Sequence, residues 1–380
     1  MTVRPFVLDV PQGELDDLRE RLRRTRLVES DLGWSAGTPA RFLRELVDYW
    51  IEEFDWRGIE RRVNDLPQFE ADIATRSGEF RLHFVHARGR GPEPLPLVFS
   101  HGWPGSFWEV HRIIGPLTDP VAHGGDAADA FDVVAPSLPG YGFSPHPGRP
   151  GVDPSVIADA FHALMTDTLG YRRYVAQGGD WGSFVTAALG RRHHGPVDGV
   201  AAIHLNFFPG RPSPADAGGD DFLQVMEQWN AREGAYAHMQ ATRPLTIGHA
   251  LSDSPAGLAA WIVEKFRSWS DCGGDVESVF SKDDLLTGIM FHWLGGTGAT
   301  AARLYYEAAS ASGSAPPGPA AVPTAYAAFA GEFFVPSREI VSSDFDLRQY
   351  SEFPRGGHFA ALEQPDALVG DIRSFFRRYR

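Results

Sequence analysis

Cysteine and lysine are almost missing from this 380-residue chain. The single cysteine, Cys272, excludes an internal disulfide and suits a reducing compartment. Lys265 and Lys282 are the only lysines, so arginine supplies nearly all of the 35 basic residues. With so few ammonium groups, Schiff-base catalysis and a phosphate-loop lysine are nearly excluded. Basic charge is also in deficit: 35 basic against 49 acidic residues leave a formal charge of -14. No basic stripe or tail offers itself to nucleic acid or anionic lipid. There is no apolar run of about 18 residues, and the N-terminus lacks the apolar core and cleavage site of a secretory leader. The expectation is a cytoplasmic protein without a membrane or nucleic-acid partner. Apolar side chains are plentiful at 43% of positions, enough for a large core.

The hydrophobic period divides the chain. Leu15, Leu18 and Leu22, then Phe42, Leu46, Val47, Trp50, Ile51 and Phe54, recur at helical spacing. Pro39 suits the first turn of the second helix. From about residue 79 short apolar strands take over: Phe80 to Phe84, LPLVFSHG (95–102), FDVVAPSLPG (131–140), YVAQGG (174–179) and VDGVAAIHLN (197–206). Helical stretches near 154–169 and from about 182 separate some of them. This alternation predicts an α/β fold with a mostly parallel sheet and helices on both faces. Residues 209–318 interrupt it with a helical, aromatic-rich insertion. ASASGSAPPGPAAVP (309–323) reads as a loop back to the sheet, VPTAYAAFA (322–330) as a further strand, and 365–379 as a closing helix.

Two motifs imitate functional ones. Gly33-Trp34-Ser35-Ala36-Gly37 matches the serine elbow G-x-S-x-G, but it lies between helices before any strand. Gly296-Thr297-Gly298-Ala299-Thr300-Ala301 imitates a dinucleotide fingerprint, without the preceding strand or the later acidic residue.

Gly178-Gly179-Asp180-Trp181-Gly182-Ser183 stands where an elbow belongs, after the strand YVAQ and before a helix. Small residues at 178 and 182 suit a tight nucleophile turn. The nucleophile position holds Asp180. A carboxylate needs no deprotonation and can attack an sp³ carbon, leaving an alkyl ester that water can hydrolyse. His101-Gly102-Trp103-Pro104-Gly105 follows the strand LPLVFS, where one oxyanion amide is expected; the other should follow the nucleophile. Those amides belong to Trp103 and Trp181. Glu332 follows a strand and His358 precedes the last helix, so Asp180, Glu332, His358 have the α/β-hydrolase order of nucleophile, acid and base.

These stretches resemble epoxide hydrolases of the microsomal type. The likeness extends through WRGIERRVNDLPQF (56–69), HGWPGS (101–106), PSLPGYGFS (136–144), GGDWGS (178–183), the long segment 236–269 and RGGHFAALEQP (355–365). It implies an α/β-hydrolase core in two parts, 79–208 and 319–380, with an N-terminal helical meander over 1–78 and a helical lid over 209–318. It also implies two lid tyrosines that hydrogen-bond the epoxide oxygen. Tyr236 matches the first; Tyr305 fits the second, with Tyr306 as the alternative after a one-residue shift. The implied reaction turns an epoxide into a vicinal diol through a hydroxyalkyl ester on Asp180, hydrolysed by water that His358 and Glu332 activate. Trp181 and Tyr306 would also line the substrate site. The hydrophobic anchor of the mammalian form is absent, which suggests a soluble bacterial member. Family roles run from detoxification and aromatic-hydrocarbon catabolism to secondary-metabolite and antibiotic biosynthesis.

A haloalkane dehalogenase shares the Asp nucleophile and often the following Trp, and a catalytically inactive binding protein would share the fold. The tyrosines and the meander favour the epoxide. His83 and His86, or His193 and His194, have no carboxylate or cysteine spacing that completes a metal site, so neither cofactor nor metal is expected. The expected partner is a small-molecule epoxide, with a homodimer as the expected assembly.

Overall fold

A computed structural model describes residues 2–195, 197–210, 212, 216, 218–311 and 318–380. Among these residues nine strands form one sheet. They are β1 (Val3–Pro5), β2 (Gln68–Thr75), β3 (Gly78–Ala87), β4 (Leu95–Ser100), β5 (Phe131–Pro136), β6 (Arg173–Gly178), β7 (Gly199–Leu205), β8 (Ala320–Phe329) and β9 (Phe345–Phe353). The spatial order is β1-β2-β3-β5-β4-β6-β7-β8-β9. The pairings β1/β2, β2/β3 and β3/β5 are antiparallel, and those from β5 through β9 are parallel. Every residue of β5 is buried, as a strand covered on both faces requires. Chain order reverses beside β4, which has β5 on one side and β6 on the other. In an open α/β sheet, sites form outside the strands' carboxyl ends at such a switch point. Here β4 leads into His101 and β6 into Asp180.

The N-terminal segment, a helical meander in the sequence reading with an extended stretch running to residue 73, contributes strands as well as helices. Helices Gln12–Arg23 and Ala40–Glu52 bury the anticipated leucines, and Pro39 caps the second from one position outside it. Residues 68–75, however, join the sheet as β2, with β1 at its edge. In β2 the buried Ala71 and Ile73 alternate with Glu70 and Asp72, which face water. Arg4 and Arg81 pair with Asp72 at 2.9 and 3.1 Å. So polar a segment lacks the apolar signal of a strand. The same holds for the half-exposed edge strand β9.

Helices Gly219–Glu233, Ala235–Thr242, Pro244–Asp253, Pro255–Trp269, Lys282–Leu294 and Gly298–Ala311 lie between β7 and β8. The N-terminal helices pack on two of them, Pro255–Trp269 and Lys282–Leu294. Part of the 309–323 stretch is regular, not loop: 309–311 end a helix, 320–323 begin β8, and 312–317 fall outside the described residues. Ser35 sits in an exposed 3-10 turn and donates to the Leu32 carbonyl at 2.6 Å. The glycines near 296 open a helix without a preceding strand. No helix among the described residues is long and apolar enough to cross a membrane.

Candidate active site

Asp180 is the one non-glycine residue with positive φ among the described residues, at φ 48° and ψ -129°. Such a conformation is strained for an L-residue and persists because the surroundings allow no alternative. A Cβ on Gly182 would strike the Ser100 carbonyl, and one on Gly178 the Gly182 carbonyl. The turn can therefore press against β4 only with glycine at both places. It lifts Asp180 off the end of β6 at the N-terminus of helix Trp181–Arg192.

The loop after β4 meets Asp180 from the side. A Cβ on Gly102 would overlap the Asp180 carboxylate, so glycine lets the two approach. The Trp103 amide donates to Asp180 Oδ1 at 2.7 Å. His101 holds this loop: its Nε2 accepts from the Leu138 amide at 3.1 Å and its Nδ1–H donates to the Gly102 carbonyl at 3.0 Å. Burial pushes the His101 pKa down to about 4, so the ring is neutral in that role. Trp181 opens the helix, leaving its amide among the unpaired N-terminal donors.

His358 arrives from the other side, in the loop after β9. Its Nδ1–H donates to both Glu332 carboxylate oxygens at 3.0 Å. Its Nε2 lies 3.3 Å from Asp180 Oδ2, close enough for charge interaction. That nitrogen nevertheless has no aligned hydrogen-bond partner among the described residues. Burial alone would lower the imidazolium pKa; the two carboxylates outweigh it and hold the pKa up to about 10. The ring is thus charged at neutral pH while Asp180 is ionised. Glu332 stands three residues past the end of β8, and the fold brings it against His358 as chain order led one to expect.

Tyr236 and Tyr305 reach the site from the helical insertion. Their ring centroids are 5.8 Å apart, and the two hydroxyls interact. Trp103 stacks on Tyr236 at 5.2 Å, and Trp181 meets Tyr305 edge-on at 4.7 Å. Burial and the nearby Asp180 carboxylate push both phenol pKa values far up, so both remain donors. Tyr306 does not join them. Successive helix positions point about 100° apart, and Tyr306 is 43% exposed where Tyr305 is 8% exposed. Lys265, one of the two lysines, is buried with its Nζ 4.6 Å above the Tyr236 ring centre.

Sequence reasoning missed two acidic groups here. Glu109 lines a small cavity with Asp180 and His358. Glu363 accepts from the amides of Asp271 at 2.8 Å, Gly357 at 2.9 Å and Phe359 at 2.9 Å, tying the insertion to the His358 loop. Neither position has a spacing that marks it. Each carboxylate follows the loop it holds, Glu109 after Gly102 and Glu363 after Gly357.

Residues 3–110 match the family described as epoxide hydrolase N terminus, and residues 96–365 match the alpha/beta hydrolase fold. "Epoxide hydrolase 1" of Sus scrofa is 36% identical, with 98% of this chain and 88% of that protein covered. The chain belongs to the epoxide hydrolase family. It is accordingly an enzyme of the α/β-hydrolase fold, and its family's reaction is epoxide hydrolysis. A Stigmatella aurantiaca protein provisionally named an epoxide hydrolase is 42% identical over all of this chain and 86% of its own length. The solved Aspergillus niger epoxide hydrolase superposes with a TM-score of 0.85 at 29% identity, covering 100% of this chain and 97% of that one.

Proposed function

We propose that this family member opens its epoxide by covalent catalysis at Asp180. Asp180 attacks an epoxide carbon; a C–O bond to the carboxylate forms as the ring C–O bond breaks. Tyr236 and Tyr305 hydrogen-bond the oxygen as it gains negative charge. Esterification removes the charge of Asp180, one of the two carboxylates that keep His358 protonated. The imidazolium pKa then falls, and the ring's proton passes, through the tyrosine hydroxyls or solvent, to the ring-opened epoxide oxygen, leaving a neutral His358 that can act as base toward water. Water adds to the Asp180 carbonyl carbon, its proton passing to His358 Nε2. The tetrahedral intermediate then releases the diol oxygen, which takes that proton. The amides of Trp103 and Trp181 would hold the oxyanion.

The supporting observation is the placement of His358 Nε2, 3.3 Å from Asp180 Oδ2 and without an aligned partner, so that once the ester has formed and the ring is neutral it can take a proton from water at the Asp180 carbonyl carbon. The lid reading of 209–318 belongs to the same proposal, since Tyr236 and Tyr305 come from that segment. A single turnover in ¹⁸O-water with enzyme in excess tests the scheme. The first diol should carry no label, and the label should appear in the Asp180 carboxylate. Label in the first diol would defeat the ester.

A further inference from the structure

A cavity of about 10 Å³ lies against the catalytic pair, bordered by Gly102, Glu109, Asp180, Asn206 and His358. That is about the room one water molecule occupies, and its polar lining can hydrogen-bond one. A second space of about 20 Å³ lies next to it, bordered by Gly105, Ser106, Arg112 and Asp284. Glu109 lines both. Its position is tightly defined: a Cβ on Gly105 would collide with the Glu109 carboxylate. The amide of Gly102 donates to that carboxylate, and the next amide, of Trp103, donates to Asp180. Consecutive amides of one loop thus hold Glu109 on one side and the nucleophile on the other.

Building on the ester mechanism above, we propose that Glu109 is a positioning residue for the hydrolytic water, holding it between His358 and Asp180 and admitting its replacement from the second space. Hydrolysis needs a water whose one hydrogen meets His358 Nε2 while its lone pair faces the Asp180 carbonyl carbon. The second hydrogen needs an acceptor, and Glu109 offers its carbonyl oxygen. Burial first, then the nearby Asp180 carboxylate, push the Glu109 pKa up to about 8; burial, the larger cause, persists in the ester and continues to favour the neutral acid. A neutral acceptor orients the water without putting another negative charge beside the developing oxyanion.

Single-turnover kinetics of wild type, Glu109→Gln and Glu109→Leu separate ester formation from ester hydrolysis. The substrate is the member opened fastest by wild type from a panel of styrene oxide, cyclohexene oxide and 1,2-epoxyoctane. Leucine fills the volume but removes the acceptor; hydrolysis should fall about 100-fold while ester formation changes less than about threefold. Glutamine keeps a neutral carbonyl acceptor and should restore hydrolysis to within about tenfold of wild type. Hydrolysis unchanged in the leucine variant, or both steps falling together in both variants, would overturn the assignment. If the leucine variant does not fold, the isosteric glutamine variant still decides: a hydrolysis rate reduced as far as about 100-fold would refute it. Absence of any ester in wild type would refute the mechanism itself, a separate outcome.

Discussion

The Nε2 of His358 stands 3.3 Å from Oδ2 of Asp180, and the charge of the carboxylate helps to set that of the ring. While Asp180 is ionised, His358 is held protonated with a pKa of about 10. Once Asp180 is esterified, one of the two charges behind that shift is gone. Activation of the base is thereby coupled to completion of the first step, and a neutral His358 is not required beforehand.

Replacing His358 with glutamine should separate the steps. The ester should form and persist, because general-base assistance is worth about 100- to 10,000-fold. Intact-mass spectrometry after mixing with an epoxide should show the protein heavier by one substrate. Steady-state kcat should drop within that same range.

The neighbouring tyrosines should behave in opposite ways. Tyr305→Phe removes a buried donor and should lower the rate of ester formation about 100-fold, as loss of one oxyanion donor does elsewhere. Tyr306→Phe alters an exposed ring and should change that rate less than about twofold. Stopped-flow quenching of Trp103 and Trp181 fluorescence would follow the step in both variants. Equal losses would contradict the assignment to Tyr305.

The glycine at 182 has a defined cost of replacement. In Gly182→Ala the new Cβ must displace the Ser100 carbonyl and the loop that follows it. Overpacking of this kind destabilises by about 1–3 kcal/mol. Because Trp103 and its hydrogen bond to Asp180 belong to that loop, turnover should fall as well. Urea unfolding and kcat, measured on one preparation, would show whether both change.

Acid should destabilise the fold through its buried neutral histidines. Burial pushes the pKa of His83 down to about 3 and that of His101 to about 4, from an ordinary 6.5. In the folded state both stay neutral at pH 5, while the unfolded chain binds those protons. Their contribution is therefore fully present above pH 6.5 and is lost as the pH falls toward their folded values. Thermal midpoints should decline from pH 7 to pH 4, and His83→Gln should flatten part of that slope.

Much of this protein follows from local sequence. Apolar strands bounded by glycine set the central sheet, and chain order alone singled out Asp180, Glu332 and His358, because a strand end delivers its following loop to one side of a parallel sheet. What local pattern cannot carry is the environment of a side chain. Strands β1, β2 and β9 are half-exposed and polar, so only pairing with a neighbour reveals them. Tyr305 and Tyr306 are chemically identical, and helix packing alone decides which faces Asp180. Glu109 and Glu363 look like surface acids until folding encloses them, pushing their pKa values up to about 8 and about 7. Identity and order were written along the chain. Burial, charge state and the distances between groups far apart in sequence arise only when the chain excludes water around them.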